Sequence, residues 1–276
     1  MIKIIVDSTF GLTQEYVDKH DLHVVDLIML LDGKEYSEGF EENWNRFYND
    51  YEKSKDFPKT SQPNPSRFEE AIKNIYSKEP EAEIIILTIG SGLSGTVNSA
   101  NVARNNFPDR KIALIDSYNA SIAEFVYLDE VIKYVEAEHD FLDTVHYAEE
   151  LRKKTGVYFI PASMGNLYRS GRISKITSII GSILVIKPIF EFKNNIVTVV
   201  KKAIGIANAI NEMIKKLPAN IKRLVIGYIN DDKYVSTLKE ALEKQTNVID
   251  IIIKPVSTTF GVHVGLGAFG VAYVEA

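Results

Sequence analysis

The sequence predicts an α/β protein of two domains: an N-terminal, mostly parallel sheet with flanking helices, then a C-terminal α+β domain with a mixed or antiparallel sheet. Three observations carry this. Short β-branched runs alternate with runs of helical period through the first half, the pattern of parallel strands joined by crossover helices. Past Gly156 the alternation gives way to strand runs separated by tight turns, as antiparallel pairing requires. A chain of 276 residues with 45% hydrophobic and 25% charged content suffices for two modest domains with buried cores. The boundary is placed at residue 155, giving domains 1–155 and 156–276.

The buried-strand candidates of the first half are "IKIIVD" from Ile2, "HVVDLIML" from His23, "EIIILTI" from Glu83 and "KIALID" from Lys111. Between them Trp44, Phe47, Tyr48 and Tyr51 recur at helical spacing, as do Phe68, Ile72 and Ile75, with Ser66 the expected N-cap. Two helices are expected over Ser121–Glu136 and Phe141–Lys154, the second stopped by Gly156. "VYFIPAS" from Val157 then reads as a strand, and "SILVIKPIFEFKNNIVTVVKK" from Ser182 as two strands around an Asn194-Asn195 turn. A helix over Ala203–Lys216, a strand "RLVIGYI", a helix capped by Asp231-Asp232 and strands "VIDIIIK" and "GVAYVEA" complete the order.

Composition removes several function classes. A net charge of -5 supplies no basic excess for a general nucleic-acid binder. With no cysteine there is no disulfide, thiol nucleophile or cysteine-based metal site. The most apolar run, Ile176 to Ile186, is far shorter than the roughly 18 residues a spanning helix needs, so no membrane span is expected. The first residues read as a strand rather than an apolar leader, and a cytoplasmic location is expected.

The densest functional signal is "TIGSGLSGTVNSA", Thr88 to Ala100, a glycine- and hydroxyl-rich loop between a strand and a helix from about Thr96. Glycines admit close backbone approach, and a helix N-terminus offers unpaired N–H groups, so the loop suits an anion: a phosphate, an oxyanion or a bound carboxylate. A tight turn with Ser94 or Thr96 as a helix cap is the structural alternative. A nucleotide P-loop is rejected, because Thr96 stands where its lysine belongs. A nucleophile elbow fits imperfectly, since Gly95 falls one place early, yet the chain order Ser94, Asp116, His263 keeps a serine esterase as an alternative.

A second polar cluster, "KTSQPNPSRF" from Lys59, has Pro63 and Pro65 stiffening an extended stretch that displays Thr60, Ser61 and Gln62. His20, His23, His139 and His146 sit among polar neighbours, whereas His263 lies in the apolar, glycine-rich "TFGVHVGLGAFG". "YRSGRISK" concentrates Arg169, Arg172 and Lys175 around a glycine, as a solvated basic turn or as a dock for an acidic partner or phosphate. No metal-ligand cluster is apparent.

Taken in order, "DSTFGL", "TSQPNP", "GSGLSGT", "IDSYNAS", "GRISK", "VIKPIF" and "GVHVGLGA" resemble the DegV family across nearly the whole chain. The resemblance implies a protein that binds one long-chain fatty acid between its domains. It further implies a fatty-acid-binding subunit of a bacterial fatty acid kinase, which presents the carboxylate to a separate ATP-dependent kinase subunit and has no catalytic residue, metal or cofactor of its own. By the same resemblance Thr60, Ser94 and His263 hold the carboxylate, and Ser61, Ser91 and Gly95 add head-group or loop contacts. Arg172 is the expected contact to the kinase or the phosphate. The chain departs from the family pattern at Ser170, Leu266 and Ile204-Gly205-Ile206, the last standing where a basic pair is common. Apolar runs such as "SIIGSILVI" are expected either along the acyl chain or in a plain core. A lipid sensor or transporter without phosphoryl transfer is the remaining alternative.

Overall fold

The computed structural model describes residues 1–41, 44–172, 186–246, 248 and 250–276. Its strands are β1 (Ile2–Asp7), β2 (His23–Val25), β3 (Ile28–Leu31), β4 (Lys34–Ser37), β5 (Lys59–Ser61), β6 (Glu83–Thr88), β7 (Ile112–Asp116), β8 (Thr155–Ile160), β9 (Ile186–Lys193), β10 (Ile196–Ile204), β11 (Ile221–Tyr228), β12 (Ile251–Pro255) and β13 (Phe269–Glu275). Its helices are α1 (Gln14–Lys19), α2 (Trp44–Lys53), α3 (Pro65–Lys78), α4 (Thr96–Arg104), α5 (Ile122–Glu136), α6 (Phe141–Leu151), α7 (Met164–Ser170), α8 (Ile206–Ile214), α9 (Val235–Gln245) and α10 (Thr258–Val264).

A parallel four-stranded sheet runs β2-β1-β6-β7. A mixed six-stranded sheet runs β10-β9-β8-β13-β11-β12, antiparallel except for β11 with β12. The α/β class and the change to antiparallel pairing are therefore both present, with a further antiparallel sheet, β4-β3-β5, that the sequence reading did not separate. Central strands such as Ile84–Leu87 are buried on both faces, which explains their unbroken apolar runs. Helix α5 lies against β8, β11 and β13, so one apolar core extends from Ile4 to Val274 and joins both halves of the chain.

Local chemistry corrects several boundaries. "HVVDLIML" is two strands in two sheets, because at Leu27 the backbone N–H turns aside to donate to Ser8 Oγ, 2.9 Å. Asn64, not Ser66, caps α3; its Oδ1 accepts from Ser66 N at 3.1 Å and Pro65 occupies the first helical turn. Gly156 does not stop a helix. It sits inside β8, where a Cβ would come within 2.7 Å of the Tyr273 hydroxyl. Strand β8 ends at Ile160, and Ser163 caps α7, so Arg169 belongs to a helix rather than a solvated turn. Ala203 stays in β10, and Gly205, at φ 76°, breaks the chain before α8 begins at Ile206. The "SIIGSILVI" run up to Val185 lies outside the described residues.

Candidate functional site

The carboxyl ends of β1, β6 and β7 deliver Asp7, Thr88 and Asp116 to one edge of the parallel sheet, where ligands of open α/β sheets bind. After β6 the chain turns at Gly90, with Leu93 N donating to Gly90 O at 3.0 Å, and enters α4 at Thr96. Ser94 Oγ lies 2.8 Å from Thr96 Oγ1 and accepts from Thr96 N at 3.3 Å, a long and partial cap. The second cluster approaches from another sheet. Thr60 is on β5, paired with Met29 of the antiparallel sheet rather than with the parallel one. Gln62 then crosses to α4, where its Nε2 donates to Ser99 Oγ at 2.7 Å.

The third element is α10, whose last turn carries His263. Its N-terminus is held by the buried Glu38 carboxylate, which accepts from Thr259 N at 2.6 Å, Thr258 Oγ1 at 3.2 Å and Ser8 Oγ at 2.7 Å. Asn166 of α7 fastens the same helix by donating to Val262 O at 3.0 Å and Tyr51 OH at 2.9 Å. So fixed, His263 Nε2 stands 2.9 Å from Thr60 Oγ1, while its Nδ1 is buried without a partner among the described residues. Burial, with Arg172 nearby, holds the imidazole pKa down to about 3, so the ring is neutral.

These residues border a cavity of about 100 Å³, which widens to about 960 Å³ when the open solvent at its mouth is included. Leu27, Ile89, Ile122, Phe192, Val256 and Phe260 give it an apolar wall. Thr60, Ser61, Gln62, Ser94, Arg172 and His263 border it too, and all of these except His263 also line an adjoining polar hollow of about 410 Å³. Ser91, Gly92, Leu93 and Gly95 complete that hollow. Every expected site residue therefore falls on one of two connected spaces.

Two expectations need correction. The Cβ sides of the loop glycines face the protein itself, although Gly92 and Gly95 also border the hollow. A Cβ at Gly90 would lie 2.5 Å from Asn195 Oδ1, and Cβ atoms at Gly92 and Gly95 would overlap the Asn195 carbonyl and the Gln62 side chain. They admit the protein's own neighbours. The esterase triad is not assembled either: it requires Nδ1 of His263 to donate to Asp116, yet Nδ1 has no partner among the described residues, Asp116 included. Asp116 instead accepts from Ser91 N at 3.1 Å, Tyr118 N at 3.1 Å and Asn195 Nδ2 at 2.9 Å.

The sequence displays Gln62 but not its reach to α4, nor the cavity faces of Phe192 and Val197. Gln62 was legible as the third letter of TSQP, but only the fold shows that it reaches α4. Strand alternation marks Phe192 as inward-facing without saying onto what. Among the described residues no group of acidic or histidine side chains is arranged to hold a metal, and no helix is long and apolar enough to cross a membrane.

A profile of the family described as "Uncharacterised protein, DegV family" matches residues 1–276. A DegV domain-containing protein from Clostridium perfringens is 27% identical over 283 residues, covering 99% of each chain. Among solved structures, a DegV lipid binding protein from Thermotoga maritima superposes with a TM-score of 0.90 at 25% identity, covering 99% of this chain and 98% of its own. A DegV family protein from Thermus thermophilus, described by its fatty acid binding, gives 0.89 at 26% identity, covering 100% and 99%.

Proposed function

The chain belongs to the DegV family, and from that premise we propose that it binds one long-chain fatty acid, tail in the cavity and carboxylate at Thr60, Ser94 and His263. The observation that carries the reading is continuity: an apolar cavity opens, through hydroxyl and amide groups, into a polar hollow. An amphiphile with one acidic end fits that division. The lipid and fatty acid binding of the Thermotoga and Thermus proteins supports it. On this reading the ligand lies between domains 1–155 and 156–276, a division supported by the parallel sheet, whose strands all end by Asp116, and the six-stranded sheet, whose strands all start at Thr155 or later.

Each methylene moved from water into the cavity favours binding by about 0.8 kcal/mol, so a chain of about 16 carbons supplies on the order of 10 kcal/mol before ordering costs. The carboxylate must then be met by donors, because an unpaired buried charge would forfeit that gain. The neutral His263 sets the donor direction. With its proton on Nε2 it donates to Thr60 Oγ1, leaving the Thr60 hydroxyl proton to point at the ligand. The alternative tautomer would bury an N–H with no acceptor, the costlier arrangement. His263 thus acts through Thr60. Ser94 donates a second hydroxyl, and the exposed Arg172 adds positive charge at the mouth.

The carboxylate faces the hollow, where a separate ATP-dependent kinase subunit reaches it for acyl-phosphate formation. This chain orients the acceptor oxygen, and Ser94 forms no covalent bond. A sensor or transporter without phosphoryl transfer is the second reading, favoured by Ile204, which is apolar and 70% exposed where the family pattern calls for a basic side chain. Mass spectrometry of lipid retained through purification tests the binding claim. The wild type is expected to carry fatty acid and the Thr60→Ala/Ser94→Ala double variant to lose most of it. Full retention by a folded double variant would overturn the head-group assignment.

A further inference from the structure

We infer that the tip of the β9–β10 hairpin is a clamp on the ligand loop, with Asn195 the positioning residue that fixes the Ser91–Ser94 segment at the cavity mouth. Asn194 and Asn195 have φ of 51° and 63°, the left-handed pair of a two-residue hairpin turn. That turn requires only residues tolerant of positive φ, and glycine would serve. The Asn195 side chain does more. Its Oδ1 accepts from Gly92 N at 3.2 Å, and its Nδ2 donates to Ser91 Oγ at 3.0 Å and Asp116 Oδ2 at 2.9 Å.

The ring is closed from the other side. Asp116, at the end of β7, accepts from Ser91 N at 3.1 Å, while Asn195 N reaches Tyr118 O at 3.5 Å. The bare Cα atoms of Gly90 and Gly92 make the approach possible, since Cβ atoms there would strike Asn195. The same hairpin supplies Phe192 and Val197 to the cavity wall. One element of the second half of the chain therefore touches both the tail space and the loop that carries Ser94. Loosening the tip frees both walls together, so the clamp governs how long a ligand is held.

The identity of that ligand rests on the fatty-acid reading above; the clamp itself rests on the hydrogen bonds. The test uses the full chain loaded with radiolabelled palmitate, whose transfer to phosphatidylcholine vesicles gives a release rate, together with hydrogen exchange at the Gly92 amide. Asn195→Gly, which keeps the turn and removes the side chain, is expected to release palmitate about tenfold faster and to expose Gly92. Asn194→Gly, in the same turn, should match the wild type. Asn195→Asp keeps the shape but faces Asp116 with a second carboxylate, so its release should be faster still and should slow as pH falls. Wild-type release by Asn195→Gly overturns the positioning role, whatever Gly92 does. If the wild type itself retains no palmitate, the fatty-acid reading falls, and Gly92 exchange alone decides: faster exchange in Asn195→Gly upholds the clamp and unchanged exchange ends it.

Discussion

At the residue scale, His263 and the buried carboxylates show how burial sets protonation. His263 is neutral when folded but titrates near its ordinary 6.5 when unfolded, so its folded pKa of about 3 makes the unfolded chain take up the proton first. Its contribution to stability is complete above pH 6.5 and is lost as pH falls toward 3. Asp7 runs the other way: burial raises it to about 6, so its contribution is present below about 3.8 and is lost as pH rises through 6. His263→Gln, which keeps an N–H for Thr60 and does not titrate, should therefore gain stability relative to wild type as pH drops from 6.5 to 4. Thermal unfolding across that range checks it; parallel curves would contradict a neutral His263.

Glu124 gives a second residue-level prediction. It is fully buried, its pKa is held well above the usual carboxylate range by that burial and by Asp7, and it accepts from Ser121 N at 2.7 Å. Its other oxygen lies 3.3 Å from Thr9 Oγ1, which in turn donates to Asp7. Glutamine reproduces the protonated form. Glu124→Gln should equal or exceed wild-type stability at pH 8, and the advantage should disappear at pH 5. Glu124→Ala should cost about 2–4 kcal/mol by denaturant unfolding, because it orphans Ser121 N and leaves a void. A glutamine variant that is as unstable at pH 8 as the alanine would show that the charge itself is required.

At the element scale, the loop glycines divide by what opposes them. A Cβ at Gly92 meets the backbone of Asn195, which moves only with the hairpin, whereas at Gly95 it meets the far end of the flexible Gln62 side chain. Gly92→Ala should therefore cost about 2–4 kcal/mol and reduce lipid retention, while Gly95→Ala should cost under about 1 kcal/mol. Chemical denaturation of both variants checks the contrast, and equal costs would mean that the hairpin contact is not rigid. The elements themselves were largely legible in the letters. Buried strands such as Ile84–Leu87, the Asn-Asn hairpin and the helices of α3 and α5 follow from local period and turn chemistry. The short α7 and α10 were not, because seven residues hold too few periods to register and both are fixed by distant partners, α10 by Glu38 and Asn166, α7 by Tyr51 and Val262.

At the scale of the whole molecule, motif spelling identified the two loops and His263, but their meeting is a property of three sheets and a short helix. Thr60 and His263 are 203 residues apart, and no sequence period connects them. The same holds for Arg172, whose place at the cavity mouth no local pattern gives, and for Asn195, legible only as a turn residue. An ion network strengthens the joint between the halves: Arg223 on β11 pairs with Asp129 and Glu130 on α5, and with Asp250. The cavity is thus bordered by elements that are tied together on both sides.

The most direct test is a crystal structure of the protein grown with palmitate. Continuous elongated density is expected along Leu27, Ile89, Phe192 and Phe260, ending in a carboxylate within hydrogen-bond distance of Thr60 Oγ1 and Ser94 Oγ. Palmitate bound elsewhere, or lying in the cavity with its methyl end at Thr60, would contradict this expectation.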